Sequence, residues 1–364
     1  MNLLYISTFI VELSDGVGKK ILGQIKALEK NNIKVNLLEM DEEGIYLDKV
    51  KIAKRNYKKD ILELNIFLKK NKKLLEKYDV LYMRYSINPI FYYLLRKIKK
   101  NIKQIIIEIP TYPYEGEIKL NNKKTSGIKI IIDKILRNYF FKKYVNRIVT
   151  FSKDSYISDV KCINISNGIS FLNSKNITHL DNNKLNFIVV SNLHFWHGVD
   201  RFILALKYYY NSGGKEDILL HIVGTGENLE KCKKMAESKE LKGRVIFYGR
   251  LEGDELDKVY RVTNIGLGSI GMHRIQGLEE VQPLKNREYC AKGLPFIISF
   301  NDPDFINKEF VYKVSNDERL FDIEKIIEWY KSLKITSEEI KEYSKNFSWD
   351  IQMKKVIDYL KEGK

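Results

Sequence analysis

The chain has 364 residues, 44% hydrophobic and 12% aromatic, with a formal net charge of +16. It is longer than the roughly 250–300 residues at which a single core stops growing, and that apolar content excludes disorder, so two folded domains are expected. Cys162, Cys232 and Cys290 stand singly, which argues against a disulfide framework or a CxxC zinc site, and no apolar run approaches the roughly 18 residues of a membrane span.

The opening "MNLLYISTFIV" lacks a basic flank and a small-residue cleavage site, and "DGVG" follows at once. It reads as a buried first strand rather than a signal peptide, and a cytoplasmic protein is expected. After it, "VGKKILGQIKALEKNN" is an amphipathic helix, and "KVNLLEM", "DVLYMRY", "QIIIEIP", "RIVTFS" and "INIS" read as further strands. Between Lys51 and Lys103, 16 Lys plus Arg stand against 4 Asp plus Glu. Such a patch draws nucleic acid, an anionic leaflet or a lipid phosphate, although solvated helix faces also carry charge runs.

Periodicity lapses in "NISNGISFLNSKNITHLDNNK", which places a linker at about residues 167 to 184. The second half then restarts as the first began: "NFIVVSNLHFWHGVDRFILALKYYY" is again strand, glycine loop and helix. "LLHIVGTG", "RVIFYGRL", "IGLGSI" and "PFIIS" continue the strands. The alternation predicts an α/β chain of two parallel sheets with helices on both faces.

Within "GLEEVQPLKNREYCAKGLPFIIS", Pro283 suits a first helical position, Gly293 the residue past the end, and Pro295 a stop, so a helix is expected at about 283 to 292. Its free N–H groups near Gln282, Pro283, Leu284 and Lys285 would bind a phosphate. Glu288, about one and a half turns in, would reach ribose hydroxyls, and Glu280 the sugar on the other side. An ordinary capped surface helix would carry the same punctuation.

Glu280 and Glu288 form E-x7-E ahead of "KGLPFIIS", and this resembles the donor-site signature of family 4 retaining glycosyltransferases of GT-B fold. "DGVGKKILGQIKAL", "RIVTFSKDS" with "NISNGIS", "HIVGTGENLEK", "RVIFYGRLEGDELDKVYRVTNIGLGS" and "FSW" at Phe347 to Trp349 match further landmarks in the family's order, over nearly the whole chain. The resemblance implies two Rossmann-like domains facing across a cleft. The acceptor domain would be residues 1–166, with a last helix at about 347–364 packing back on it, and the nucleotide-sugar donor domain residues 167–346. It implies that Glu280 orients the donor sugar, Glu288 holds the ribose, Gly16 and Gly18 admit the phosphates closely, and Arg250 and Leu251 touch the donor. "TYPYEGE" and "LKNREY" look most like a bacterial subset associated with capsule, exopolysaccharide or lipopolysaccharide assembly.

There are departures. Where the family carries Arg and Lys toward the diphosphate, "SNLHFWHG" puts Asn192 and His197. Where it often has a histidine after the fifth strand, "IEIPTYPYEGE" offers Glu108. Arg274 and Lys285 are therefore expected as the main phosphate cations, with His197 assisting when protonated, while Arg287 reads as a surface residue. "GTGENL" has Leu229 where a dinucleotide fingerprint needs glycine, "DPD" at Asp302 to Asp304 reads as a turn, His179 and His221 as core or surface residues, and His194 with His197 lacks partners for a metal.

The expected protein is thus a metal-independent retaining glycosyltransferase with no cofactor beyond its nucleotide diphosphate sugar substrate. It would act on a bacterial glycan or lipid-linked acceptor and touch an anionic membrane at the inner face of the cell membrane through residues 51–103. Alternatives are a GT-B nucleotide-sugar epimerase and a non-enzymatic basic protein binding membrane or nucleic acid; no nucleic-acid module is recognisable, so no nucleic-acid partner is expected.

Overall fold

The structure is a computed structural model that describes residues 1–13, 16–115, 126–169, 184–275 and 280–362. It divides into two compact units, Met1–Gly168 with Trp349–Lys364, and Ile169–Ser348. The divisions fall at 168/169 and 348/349, against 166/167 and 346/347 read from the sequence. Residues 170–183, most of the expected linker, and Gly116 and Glu117 of "TYPYEGE" lie outside the described residues.

In the first unit, β1 (Asn2–Ile6), β2 (Lys34–Met40), β5 (Val80–Arg84), β6 (Gln104–Ile109), β7 (Arg147–Thr150) and β9 (Val160–Asn164) run parallel in the order β2-β1-β5-β6-β7-β9. β3 (Gly44–Leu47) and β4 (Val50–Lys54) extend one edge antiparallel, and β8 (Tyr156–Ile157) the other. Side chains alternate along a strand, so Leu4 and Ile6 enter one core while Leu3 and Tyr5 enter another on the opposite face. Burial on both faces is why these strands read as unbroken apolar runs. Helices α1 (Gly16–Lys30), α2 (Asp60–Lys70), α3 (Lys72–Leu75), α4 (Pro89–Ile98) and α5 (Ser126–Tyr144) connect them.

The second unit has β10 (Leu185–Val190), β11 (Ile218–Val223), β12 (Val245–Gly249), β13 (Ile265–Leu267), β14 (Phe296–Ile298) and β15 (Val311–Lys313), in the order β12-β11-β10-β13-β14-β15, every pairing parallel. Counted from β10 this is the doubly wound order 3-2-1-4-5-6, whose switch point lies between β10 and β13. Its helices are α6 (Val199–Asn211), α7 (Leu229–Ala236), α8 (Gly253–Val262), α9 (Leu284–Ala291), α10 (Ile323–Ser332) and α11 (Ser337–Ser344).

The last helix, α12 (Trp349–Glu362), returns to the first unit, where Val356, Ile357 and Leu360 share a core with Ile21, Ile25 and Leu28 of α1. Trp349 is seated between two glycines: a Cβ on Gly23 would lie 2.1 Å from its Cδ1, and one on Gly168 2.4 Å from its Cδ2. Gly-to-Ala in a helix interior normally stabilises, but here the methyl has no room. Gly23→Ala is expected to cost about 1–3 kcal/mol, seen as a lower urea midpoint. A midpoint equal to or above the wild type would show that Trp349 yields without loss.

Candidate functional site

Loops at the carboxyl ends of β10 and β13 meet at the switch point of the second unit. After β10 the chain makes a short 3-10 turn, Phe195–His197, and Gly198, at φ 71°, starts α6. After β13 it reaches a second such turn, Met272–Arg274. Ile270 N donates to the His197 carbonyl at 3.0 Å, and a Cβ on Gly198 would lie 2.6 Å from Gly271 N, so the two backbones touch. The loop after β11 closes in as well: Gly224 (φ 127°) and Gly226 (φ 154°) press on Ser191 and Leu193 so tightly that any Cβ would clash. The glycines of "GTG" thus serve loop packing.

Helix α9 follows the β13 loop and breaks the amphipathic rule. It buries Lys285, Asn286 and Arg287 together with Tyr289 and Cys290. Polar groups leave water only when paired or functional, so each needs an account. Tyr289 donates to the Leu267 carbonyl at 3.0 Å, Asn286 Nδ2 to Asp302 Oδ2 at 2.9 Å, and Arg287 grips Asp302 and Asp304. Lys285 is different. Its Nζ is buried and has no hydrogen-bond partner among the described residues, and burial pushes its pKa down to about 7.

His197 lies close enough for Lys285 to act on its charge. Burial, and after it the charge of Lys285 and then of His194, holds His197 down at about 2, so the imidazole is neutral. Its Nδ1 accepts from His194 N at 3.3 Å, and the His194 ring stacks on Trp196 at 4.2 Å. Together these form a corner with an amine that has no hydrogen-bond partner among the described residues, in the first turn of a helix, beside a neutral histidine, at a doubly wound switch point. Such a corner suits a phosphate.

Residues 170–347 match the family of Glycosyl transferases group 1. The match runs through nearly the whole of the second unit and just under half of the chain. An uncharacterized glycosyltransferase of Methanocaldococcus jannaschii is 29% identical over 162 residues, 44% of this chain and 38% of that protein's length, so the match spans well under half of that relative. Among solved structures, sucrose-phosphate synthase from Thermosynechococcus elongatus has a TM-score of 0.70 at 13% identity, covering 100% of both chains. Anabaena HepE in complex with UDP-glucose has a TM-score of 0.64 at 13% identity, also covering 100% of both. The fold is GT-B, with two Rossmann-like units.

Several residues expected in the site are engaged elsewhere. Glu108 is fully buried in the first unit, ion-paired to Lys20 at 2.9 Å, and accepts from Tyr82 at 2.7 Å and Gln24 at 2.8 Å. A carboxylate so enclosed fixes α1 against β6 rather than serving catalysis; Lys20, itself pushed down to about 8 by burial, is its counter-ion. Arg274 is not a free phosphate cation either. It bonds Glu318 at 2.6 and 2.9 Å, Asp200 at 2.9 Å and the Phe195 carbonyl at 2.6 Å, bracing the two loops. His197 is a neutral partner rather than a cation, and Arg287, expected at the surface, is fully buried. Gly18 does allow a close approach, but of the Glu12 carbonyl, which a Cβ would meet at 1.8 Å, while Gly16 is exposed at the start of α1.

Pro283 is the N-cap, at ψ 138°, so the helix begins at Leu284, one residue later than expected, while Gly293, at φ 74°, ends it as expected. Gln282 and Leu284 flank this start, and the backbone of Glu280 bridges to Asn301 beside β14. Glu288, partly buried, acts on the charge of Lys285 one turn back. Asn192 is exposed at the end of β10, Leu251 partly buried, and Arg250 exposed and paired with Glu252 at 3.0 Å. The Asp302 segment is a turn held by Arg287, and His221 is a core residue bonded to Tyr248 and Asn186. Cys162, Cys232 and Cys290 are free and buried, and burial pushes their thiols to about 12, 11 and 12. Sequence reasoning missed Asp200 and Glu318, which neutralise Arg274. It also missed Trp196, for which the aromatic density of "HFWHG" was the available signal.

Proposed function

We propose that this chain is a metal-independent retaining glycosyltransferase that moves a hexosyl unit from a nucleotide diphosphate sugar to a bacterial glycan or lipid-linked acceptor, in capsule or lipopolysaccharide assembly. The observation that carries this reading is the buried, unpartnered ammonium of Lys285 in the first turn of α9 beside His197. Negative charge grows on the diphosphate as the bond from sugar C1 to phosphate oxygen breaks, and a cation already desolvated there stabilises it without reorganisation. The acceptor oxygen bonds C1 on the same face, and its proton passes to the departing phosphate oxygen. The complex of the structurally similar HepE makes UDP-glucose the first donor to try. The basic run at residues 51–103 would face an anionic leaflet that bears the acceptor.

Glu288→Ala is expected to weaken UDP binding about tenfold, because it removes the ribose acceptor. Glu280→Ala is expected to leave UDP affinity near wild type and to lower turnover with UDP-glucose. Calorimetry and initial rates on both variants test the assignment; equal, small effects of the two on folded protein would defeat it.

A further inference from the structure

Helix α5 of the first unit is apolar on both sides: Phe141 is buried and Ile130, Leu136 and Phe140 pack on the core, yet the opposite face is apolar as well. Its inward face holds Asp133 and Arg137, 4% and 3% exposed. Asp133 accepts from Tyr85 and Tyr92 at 2.5 Å each and from Tyr114, and Arg137 bonds Tyr114 and Ser158. The outward face holds Ile128, Ile131, Ile132, Ile135 and Tyr139, exposed by 67, 61, 45, 64 and 57%. Their spacing of i, i+3, i+4, i+7 and i+11 puts them on one stripe.

The charge along that stripe is mostly positive, with Lys142 ion-paired to Asp159 at 3.6 Å. Lys129, Lys134, Lys142 and Lys143 are exposed along it, and the one acidic residue of α5 is the buried Asp133. Lys143 Nζ lies 3.8 Å from the centroid of the Tyr139 ring. On α4, which packs against α5, Tyr93 is 47% exposed under Lys97 Nζ at 5.0 Å, and the charge of Arg96 bears on both tyrosine hydroxyls.

We propose that this face seats the protein on an anionic bilayer, with the isoleucines at the acyl boundary, the tyrosines at headgroup level and the lysines on lipid phosphates. The chemistry selects that occupant. A second copy would bring lysines against lysines, and a nucleic acid would leave five apolar side chains unburied. Interfacial helices combine an apolar face with flanking Lys and interfacial Tyr. The inference gives the membrane contact proposed for residues 51–103 a defined seat next to it, and it does not depend on the donor chemistry.

The test uses the full chain with vesicles of phosphatidylcholine, alone or with one third phosphatidylglycerol. Wild type is expected to co-sediment with the anionic vesicles, and Ile131→Glu/Ile135→Glu to lose at least about 30-fold in partitioning. Both positions are exposed, so folding should survive, and UDP titration of the same variant checks the donor domain separately. In Ile132→Trp, the emission is expected to shift to the blue on anionic vesicles only. Unchanged partitioning of the double variant, or no shift for the tryptophan, overturns the proposal. So does a wild-type dimer that Ile131→Glu/Ile135→Glu dissolves without any vesicle binding, since the face would then belong to a second copy.

Discussion

Replacing Lys285 with methionine is expected to weaken UDP binding by about 100-fold and to cut turnover at least as much, since a desolvated cation facing a diphosphate contributes about 2–5 kcal/mol. The pH dependence identifies the group. The free lysine titrates at about 7 because it is buried, and a bound diphosphate selects its charged form. Below pH 7 it is already charged and affinity is level; above 7, affinity falls by roughly tenfold per unit until the pKa of the complex is reached. In Lys285→Met that fall disappears, and using the variant as baseline removes the phosphate's own titration. Wild-type affinity that stays level from pH 7 to 9 would exclude Lys285 as the partner. A fall confined to pH 6–7 and abolished by His197→Gln would return the role to the histidine. Stability should move the other way. Between about 7 and the ordinary lysine value of 10.5 the unfolded chain holds more protons than the folded one, so stability rises with pH across that window. Methionine is expected to raise stability at pH 7 by up to about 4 kcal/mol. A site residue that costs the resting fold and stabilises the complex shows this opposition of signs.

What was legible in the sequence follows from what each element must satisfy. Parallel strands buried on both faces have to be apolar throughout, and every strand read as such is present. β3, β4, β8 and β15 were missed because each is a run of two to five residues at or near a sheet edge, too short to show a period. The ends of α9 were legible because Pro283 and Gly293 act through their own backbones. Its contents were not. Lys285 and Arg287 are both cations within one turn, and which remains available depends on Asp302 and Asp304, fifteen and seventeen residues beyond Arg287. Glu108, on β6, was hard to place for the same reason: its neutralising partner, Lys20, comes from α1. The resemblance pointed to α9 as the candidate site, but which of its charges are already neutralised depends on tertiary pairing.

Arg287→Met is expected to cost about 3–5 kcal/mol, the usual penalty for leaving a buried partner charge alone. The guanidinium is fully enclosed, donates to Asp302 at 2.7 Å and also to Asp304, and lies over Phe305 at 5.0 Å and Phe347 at 5.5 Å. Burial already holds Asp302 above its usual 3.8 even with this arginine beside it. Without the arginine the carboxyl moves higher still, because only the neutral donors Asn286 Nδ2 and the Asp304 backbone N–H remain to bond it. The folded variant then keeps a proton that the unfolded chain has lost, so its stability falls as pH rises from about 4 through the raised pKa. Urea midpoints from pH 4 to 8 measure this; wild type should show a smaller decline of the same sign. Arg287→Met with Asp302→Leu removes both charges and is expected to recover most of the loss. A single variant within about 1 kcal/mol of wild type would mean that the pair does not hold α9. If it does, its role in the proposed site is indirect: with Arg287 neutralised by Asp302 and Asp304, Lys285 is left as the unpaired cation of α9, one turn from Glu288.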